Sequence, residues 1–284
     1  MRLESSLEPI NKMFDGGWDT GLISGLFGIS MTGKSILALQ DSFKMASKIK
    51  KGIVIIDSEG GDQQLVNAWK PIFSKRFNYD PKIKIVRLKP KMQDVLAFHG
   101  MRVEIPISES GKSQVIPMEE LDKSPLEQEY LKKDFQIVIY DSVTMLFSRL
   151  VPILKIFPAR SAALGLLFGL MQCYATDYDL MVLGIHHVSK DPTDKWAKPK
   201  IKGGKEIYHN TKVSLYIRQC GYAKAPNIRE ISLFRYYNKQ EWSESFKAIL
   251  RNDGYNALTD EELNKITKGS EEKTSNDKQQ PTGT

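Results

Sequence analysis

Apolar residues along the chain fall into short continuous runs separated by more polar, helix-like stretches, the pattern of strands covered on both faces. Residues 22–27 form the first run and predict a strand, and residues 36–46 behind it predict a helix. The strand signature returns at 52–56, 83–88, 135–140 and 180–185. Between these runs, 63–77 predicts a helix kinked or interrupted at Pro71. Residues 161–174 predict another, whose Ala162, Ala163, Gly165 and Gly169 suit close packing on a sheet. Ahead of the first strand, Leu3, Leu7, Ile10 and Met13 sit at helix-like intervals, so 1–15 is expected to be a short amphipathic lead-in. Gly16-Gly17 ends it, and 18–21 reads as a turn.

Three strand signals at 213–218, 229–237 and 245–250 follow one another without helices, which predicts an antiparallel extension of the sheet. The stretch 93–134 has the weakest pattern. There, 101–107 and 113–118 flank Glu109-Ser110-Gly111-Lys112 and predict a β-hairpin, while the charged residues 119–133 predict a helix. The alternation of strands and helices defines an α/β fold with a mostly parallel central sheet flanked by helices and antiparallel C-terminal strands. The expected organisation is one core over 1–264, with a hairpin insertion around 101–118, and a disordered polar tail over 265–284.

Composition changes this picture little. With 284 residues, 41% hydrophobic and 26% charged, the chain can bury a large core. It has neither an apolar run of about 18 residues nor a signal-peptide core, so an intracellular protein without a membrane partner is expected. Cys173 and Cys220 are unclustered, fit no metal spacing, and read as buried packing residues. The net charge of +7 suits a polyanionic partner, and equally a solvated lysine-rich surface.

Chemistry concentrates at the end of the first strand. Gly28-Ile29-Ser30-Met31-Thr32-Gly33-Lys34-Ser35 matches G-x-x-x-x-G-K-[ST] between a strand and a helix. The two glycines let the backbone curl with its N–H groups inward, and the helix start adds free donors and a positive dipole end. Lys34 is placed to meet the β/γ-phosphates of ATP and the Ser35 hydroxyl to hold Mg²⁺. The strand at 135–140 closes on Asp141, the form of a Walker B strand whose acid binds the Mg²⁺ shell; the alternative is a simple helix cap. Ser142 stands where many such ATPases carry a glutamate, so the residue that orients water must come from elsewhere. Glu59, closing the strand after the phosphate-loop helix, is the candidate, since neighbouring parallel strands end side by side.

The strand at 180–185 ends at His186-His187. Adjacent strand residues point to opposite faces, which disfavours one shared metal ion; a polar phosphate-sensing tip and a buried structural histidine remain. The following loop, 189–204, carries Lys190, Lys195, Lys198, Lys200 and Lys202 with Trp196 among them, a composition for tracking a phosphate backbone and stacking a base, or for a solvated loop.

Ile56-Asp57-Ser58-Glu59-Gly60, Asp141-Ser142, Gly203-Gly204-Lys205-Glu206-Ile207-Tyr208-His209 and Phe14-Asp15-Gly16-Gly17 together resemble the RecA/RadA recombinase superfamily, and most of all the archaeal RadA paralogues of RadB-like or KaiC-like type. The resemblance spans about residues 7–263 and implies a RecA-like P-loop NTPase core. It implies that Lys34 and Ser35 bind phosphate and Mg²⁺, Asp141 the metal's water shell, and Glu59 the attacking water. His187 stands where recombinases carry a γ-phosphate-sensing glutamine, and the loops after Asp141 and His187 stand where they carry DNA-binding loops. Three departures narrow the reading. Asp62-Gln63-Gln64 replaces the adenine-contacting arginine, no Phe-x-x-Ala linker precedes the core, and 101–118 is outside the usual pattern. The resemblance thus implies an ATPase that binds single-stranded DNA and assists recombination and repair in the cytoplasm, at the nucleoid. Recombinase or other repair proteins are its implied partners, and a homo-oligomer short of long filaments its implied assembly. A KaiC-like regulatory ATPase or autokinase and a nucleotide-dependent binding module with little hydrolysis are the alternatives.

Overall fold

In the computed structural model, residues 1–89, 91–103, 118–120, 124–131, 134–146, 157–189, 199–202, 205–222 and 225–268 are described. The chain opens with β1 (Arg2–Leu3), α1 (Glu8–Met13) and β2 (Trp18–Asp19). The lead-in is therefore a single helical turn and a half between two paired strands, because Leu3 and Trp18 face each other across the β1–β2 ladder. Buried Asp41 holds this segment, accepting from the hydroxyls of Ser5 and Ser6 and from Trp18 Nε1.

The central layer follows from the apolar runs. β3 (Ile23–Gly28) leads into α2 (Lys34–Ile49), β4 (Gly52–Asp57) into α3 (Asp62–Phe77), and β5 (Ile83–Arg87) into the short α4 (Met92–Phe98). Pro71 lies inside α3, which runs through it without a break. β6 (Met101–Val103) pairs antiparallel with β7 (Met118–Glu120), and the expected turn between them lies outside the described residues. Of the helix expected over 119–133, the described residues include a π-helical turn at Glu127–Leu131, while Glu119 and Glu120 belong to β7. β8 (Phe135–Asp141), α5 (Val143–Leu146), α6 (Phe157–Asp177) and β9 (Met181–Ser189) complete the first half. β9 continues through both histidines instead of ending at them, because its last residues pair with β10 (Lys200–Ile201). Then come α7 (Lys205–Asn210), β11 (Val213–Gln219), β12 (Ile228–Arg235), β13 (Ser245–Arg251), β14 (Gly254–Ala257) and α8 (Asp260–Lys268). Helix α8 runs past residue 264, into the stretch expected to be tail; residues 269–284 lie outside the described residues.

The sheet order is β14-β13-β12-β11-β3-β9-β8-β4-β5, with β10 on β9. From β11 to β5 every neighbouring pair is parallel, and β12, β13 and β14 add antiparallel strands. This is the RecA-like α/β architecture that the sequence predicts. One departure matters: β9 and β8 insert between β3 and β4, so Glu59 does not follow a strand adjacent to the phosphate loop.

Each sheet face buries its own core. On one, Leu37, Phe43 and Phe73 from α2 and α3 pack on Leu26, Ile53, Ile139 and Leu183. On the other, Leu164, Leu167, Phe168 and Met171 of α6 cover Phe27, Val138 and Val182. The glycines of α6 do not make that contact. Among the described residues Gly169 has no neighbour within 4 Å of where a Cβ would stand, and the large apolar residues face the sheet instead. Cys173 is exposed and Cys220 half-buried, which corrects their reading as core residues: one lies on the outer side of α6, the other just past the end of β11.

Candidate functional site

The carboxyl ends of β3, β9, β8 and β4 bring the sequence-predicted residues together, the edge at which open α/β sheets bind ligands. The phosphate loop curls because Met31 and Gly33 both take left-handed backbone angles, φ 64° and 89°. Gly28 is needed for space, since a Cβ there would press on the Ile217 carbonyl of β11. Ile29, Ser30 and Met31 form an exposed rim, while Thr32 and Lys34 are buried. Ile29 O accepts from Thr32 Oγ1 at 3.0 Å and from Lys34 Nζ at 2.8 Å, so the lysine ammonium lies under the loop it would serve. Burial pushes the Lys34 pKa down to about 8, against the attraction of Asp141 and Glu59.

Two Asp-Ser pairs close the neighbouring strands β4 and β8, with Asp57 and Asp141 in register. Ser58 N donates to Asp141 O at 2.8 Å, Ser58 Oγ to Ser142 O at 2.9 Å, and Ser142 N back to Ser58 Oγ at 2.9 Å. Asp57 Oδ1 accepts from Glu59 N and Gly60 N, which turns the chain and sends Glu59 across the strand ends. Its Oε1 accepts from Ser142 Oγ at 2.7 Å and from His187 Nε2 at 2.7 Å. His187 N in turn donates to Thr144 Oγ1 at 3.1 Å, and its Nδ1 lies 3.4 Å from Ser30 Oγ on the phosphate-loop rim. Thus Glu59 joins the site by crossing two strands through His187 and Ser142. The hydrogen bond from His187, followed by that from Ser142, holds the Glu59 pKa below the usual range despite partial burial.

His186 and His187 divide as strand geometry requires. His186 is fully buried and stacked on Phe27 at 4.5 Å, with neither ring nitrogen hydrogen-bonded among the described residues, and burial pushes its pKa down to about 3. His187 alone reaches the site.

Asp141 is buried, with the Ser35 hydroxyl beside its carboxylate countering part of the rise that burial causes in its pKa. Beside it lies Asp62, the first residue of α3, which the motifs did not single out as a site residue. Asp62 is 5% exposed and lies against Asp141, and among the described residues its buried Oδ2 accepts from no donor. Burial raises the pKa of both carboxyls, and their mutual repulsion adds to the rise at Asp62. Asp57, Glu59 and Asp141 thus all act on Asp62, and Asp141 and Glu59 also attract the Lys34 ammonium. The orphaned Asp62 oxygen and the Ser35–Asp141 pair fit a cation in this place. Among the described residues no three His, Cys, Asp or Glu side chains could hold an ion by themselves, so phosphate oxygens and water would complete its shell. Arg87, exposed at the end of β5, was also missed by sequence reasoning; its guanidinium lies against Gly60, beside Glu59.

Of the lysine loop, Lys190, Lys195, Trp196 and Lys198 lie outside the described residues. Lys200 and Lys202 are exposed, and the β9–β10 ladder sets Lys200 opposite Ser189. Lys202 N donates to His187 O at 3.0 Å, which ties the far end of the loop to the histidine that touches Glu59.

No family model matches the chain. The DNA repair and recombination protein RadB of Methanococcoides burtonii (strain DSM 6242) is 22% identical to it over 220 residues, covering 78% of this chain and 84% of that protein. A crystal structure of the RadB recombinase superposes with a TM-score of 0.62 at 15% identity, covering 90% of this chain and all of that one. The resemblance to the RecA/RadA superfamily carried by the motifs holds, with a RadB-like sequence on a RecA-like fold. No helix among the described residues is long and apolar enough to cross a membrane.

Proposed function

We propose that this chain is a RecA-fold ATPase of RadB type that binds ATP with Mg²⁺, engages single-stranded DNA and assists homologous recombination and repair. The observation that carries the reading is the convergence of Lys34, Ser35, Asp141 and Glu59 at one end of the sheet, with His187 bridging Glu59 to the phosphate-loop rim. In this reading the loop 28–35 cradles the phosphates through its backbone N–H groups, and Lys34 leaves Ile29 O to meet them. Ser35 and Asp141 hold the metal, with Asp62 beside them; Mg²⁺ when bound supplies charge neutralisation at the phosphates. Glu59 orients the attacking water and His187 fixes the carboxylate. The nucleoid is the expected location, other repair proteins are the expected partners, and assembly stops short of long filaments.

The test is the ATPase rate with and without single-stranded DNA. Stimulation by DNA supports the whole reading. Turnover indifferent to DNA, with no DNA binding, points instead to a KaiC-like regulatory ATPase. Tight ATP binding without turnover points to a nucleotide-dependent binding module, and absence of ATP binding refutes all three.

A further inference from the structure

The last peptide of the phosphate loop is held from behind. Thr32 O accepts from Tyr255 Oη at 2.8 Å and from Arg229 Nε at 3.1 Å. Tyr255 is fully buried and Arg229 only 7% exposed. Neither comes from the strand and helix that carry the loop: Arg229 lies on β12 and Tyr255 on β14, in the antiparallel part of the sheet. A trans peptide keeps its C=O and N–H pointing opposite ways. Fixing Thr32 O toward β12 and β14 therefore fixes Gly33 N–H away from them. The fit leaves no slack, because a Cβ at Gly33 would collide with the Tyr255 hydroxyl.

Both anchors are themselves held. The Arg229 guanidinium also donates to Ile228 O at 3.2 Å and to Pro226 O. Tyr255 N donates to Gln40 Oε1 at 2.6 Å, and Gln40 Nε2 donates to Tyr255 O at 3.0 Å. Arg76 of α3 adds a bond to Tyr255 O at 3.2 Å and one to Asp253 O at 2.7 Å. Since Gln40 lies on α2, a closed circuit runs from the loop through α2 and Tyr255 back to the loop.

We propose that Tyr255 and Arg229 are positioning residues for the nucleotide site: acting through the Thr32 carbonyl, they aim Gly33 N–H at the bound phosphates without touching the nucleotide. This inference rests on the ATP-binding reading above. A merely structural role would have the same two groups satisfy a buried carbonyl, with no consequence for the loop's concave side.

The experiment compares Tyr255→Phe and Arg229→Lys with Tyr236→Phe. Tyr236 is another buried tyrosine, whose hydroxyl lies 3.1 Å from Phe14 O on the N-terminal lead-in and 3.0 Å from Tyr237 Oη. Each variant is assayed for melting temperature without ligand, for binding of a fluorescent ADP analogue with Mg²⁺, and for the Gly33 amide resonance in ¹⁵N-glycine-labelled protein. Tyr255→Phe is expected to weaken ADP about five- to tenfold, the effect of one lost hydrogen bond. It should also shift or broaden the Gly33 resonance, and Arg229→Lys should do the same. Tyr236→Phe should lower the melting temperature comparably and leave both other readouts in place. Parental affinity and an unmoved Gly33 signal in folded Tyr255→Phe or Arg229→Lys would overturn the proposal. Should the parent itself not bind the ADP analogue, the nucleotide reading fails and with it the aim at phosphate. The Gly33 signal still decides whether these two residues orient the loop.

Discussion

Glu59 and His187 come from strands separated by a third, yet His187 Nε2 lies 2.7 Å from Glu59 Oε1. Ser142 Oγ donates to the same oxygen, so among the described residues both donors use one side of the carboxylate. A carboxylate oriented this way can align a nucleophile without contributing to nucleotide affinity, and that separation of roles can be measured.

Glu59→Gln is expected to slow hydrolysis by about 10²- to 10⁴-fold, the usual effect of losing a positioned base, while ATP affinity stays within a few-fold. Lys34→Ala should differ in kind, weakening ATP by at least about tenfold through loss of a charged hydrogen bond to phosphate. Equilibrium binding and single-turnover rates on both variants separate the two. Equal loss of binding would make Glu59 structural.

The hydrogen bond from His187 also fixes the sign of a pH effect. It holds the Glu59 carboxyl ionised to lower pH than usual. Without it the carboxyl protonates at higher pH, so His187→Ala should move the acidic limb of the kcat profile upward. His187→Gln retains an N–H donor and should leave that limb closer to the parent's. An unshifted limb in the alanine variant would separate His187 from the function of Glu59.

Stability has its own pH dependence, away from the site. His99 is fully buried, with Nδ1 bonded to Val95 O at 2.6 Å and Nε2 to Tyr140 Oη at 2.9 Å. Burial pushes its pKa down to about 4. Because the folded value lies below the unfolded one, stability is complete above about pH 6.5 and is lost as pH falls toward 4. The loss amounts to about 3 kcal/mol for this one group, at about 1.4 kcal/mol per pH unit. His186 adds a second such loss. Urea unfolding of His99→Gln between pH 7 and 4.5 should show a lower starting stability but a shallower decline. A decline as steep as the parent's would show that His99 is not held neutral.

Much of the parallel half of the fold was legible because β3, β4 and β8 are apolar runs closed by glycine or aspartate, and they begin and end within about two residues of expectation. Strand order was not legible. Nothing in the runs themselves says that β8 and β9 enter between β3 and β4. α4 escaped notice because its seven residues present only two buried apolar side chains, Val95 and Leu96, among those described. β14 escaped because Gly254–Ala257 forms a strand only against β13. The same limit hid Tyr255 and Arg229, whose bonds to Thr32 span more than 190 residues of sequence. Asp62 did leave a signal: an acid at the first position of a helix, directly after Glu-Gly-Gly, where the resemblance offers no acid.

The lysine loop gives the sharpest test of the DNA role. Its five lysines fall within residues 190–202 around Trp196, and its two ends are held together by the β9–β10 ladder. The bond from Lys202 N to His187 O connects this ladder to the residue that touches Glu59. A change at the phosphates that moves His187 would then be felt at the base of the loop. Single-stranded DNA should therefore bind more tightly with a non-hydrolysable ATP analogue than with ADP, and affinity should fall steeply with salt. Replacing Lys195, Lys198 and Lys200 with alanine should flatten the salt slope by up to about two units, at about 0.7 per phosphate contact. Trp196→Ala should instead cost about 1–3 kcal/mol with little change in slope, because stacking releases no counterions. Fluorescence anisotropy across a salt series reads both quantities. Parental binding in both variants would place the DNA contact elsewhere on the chain.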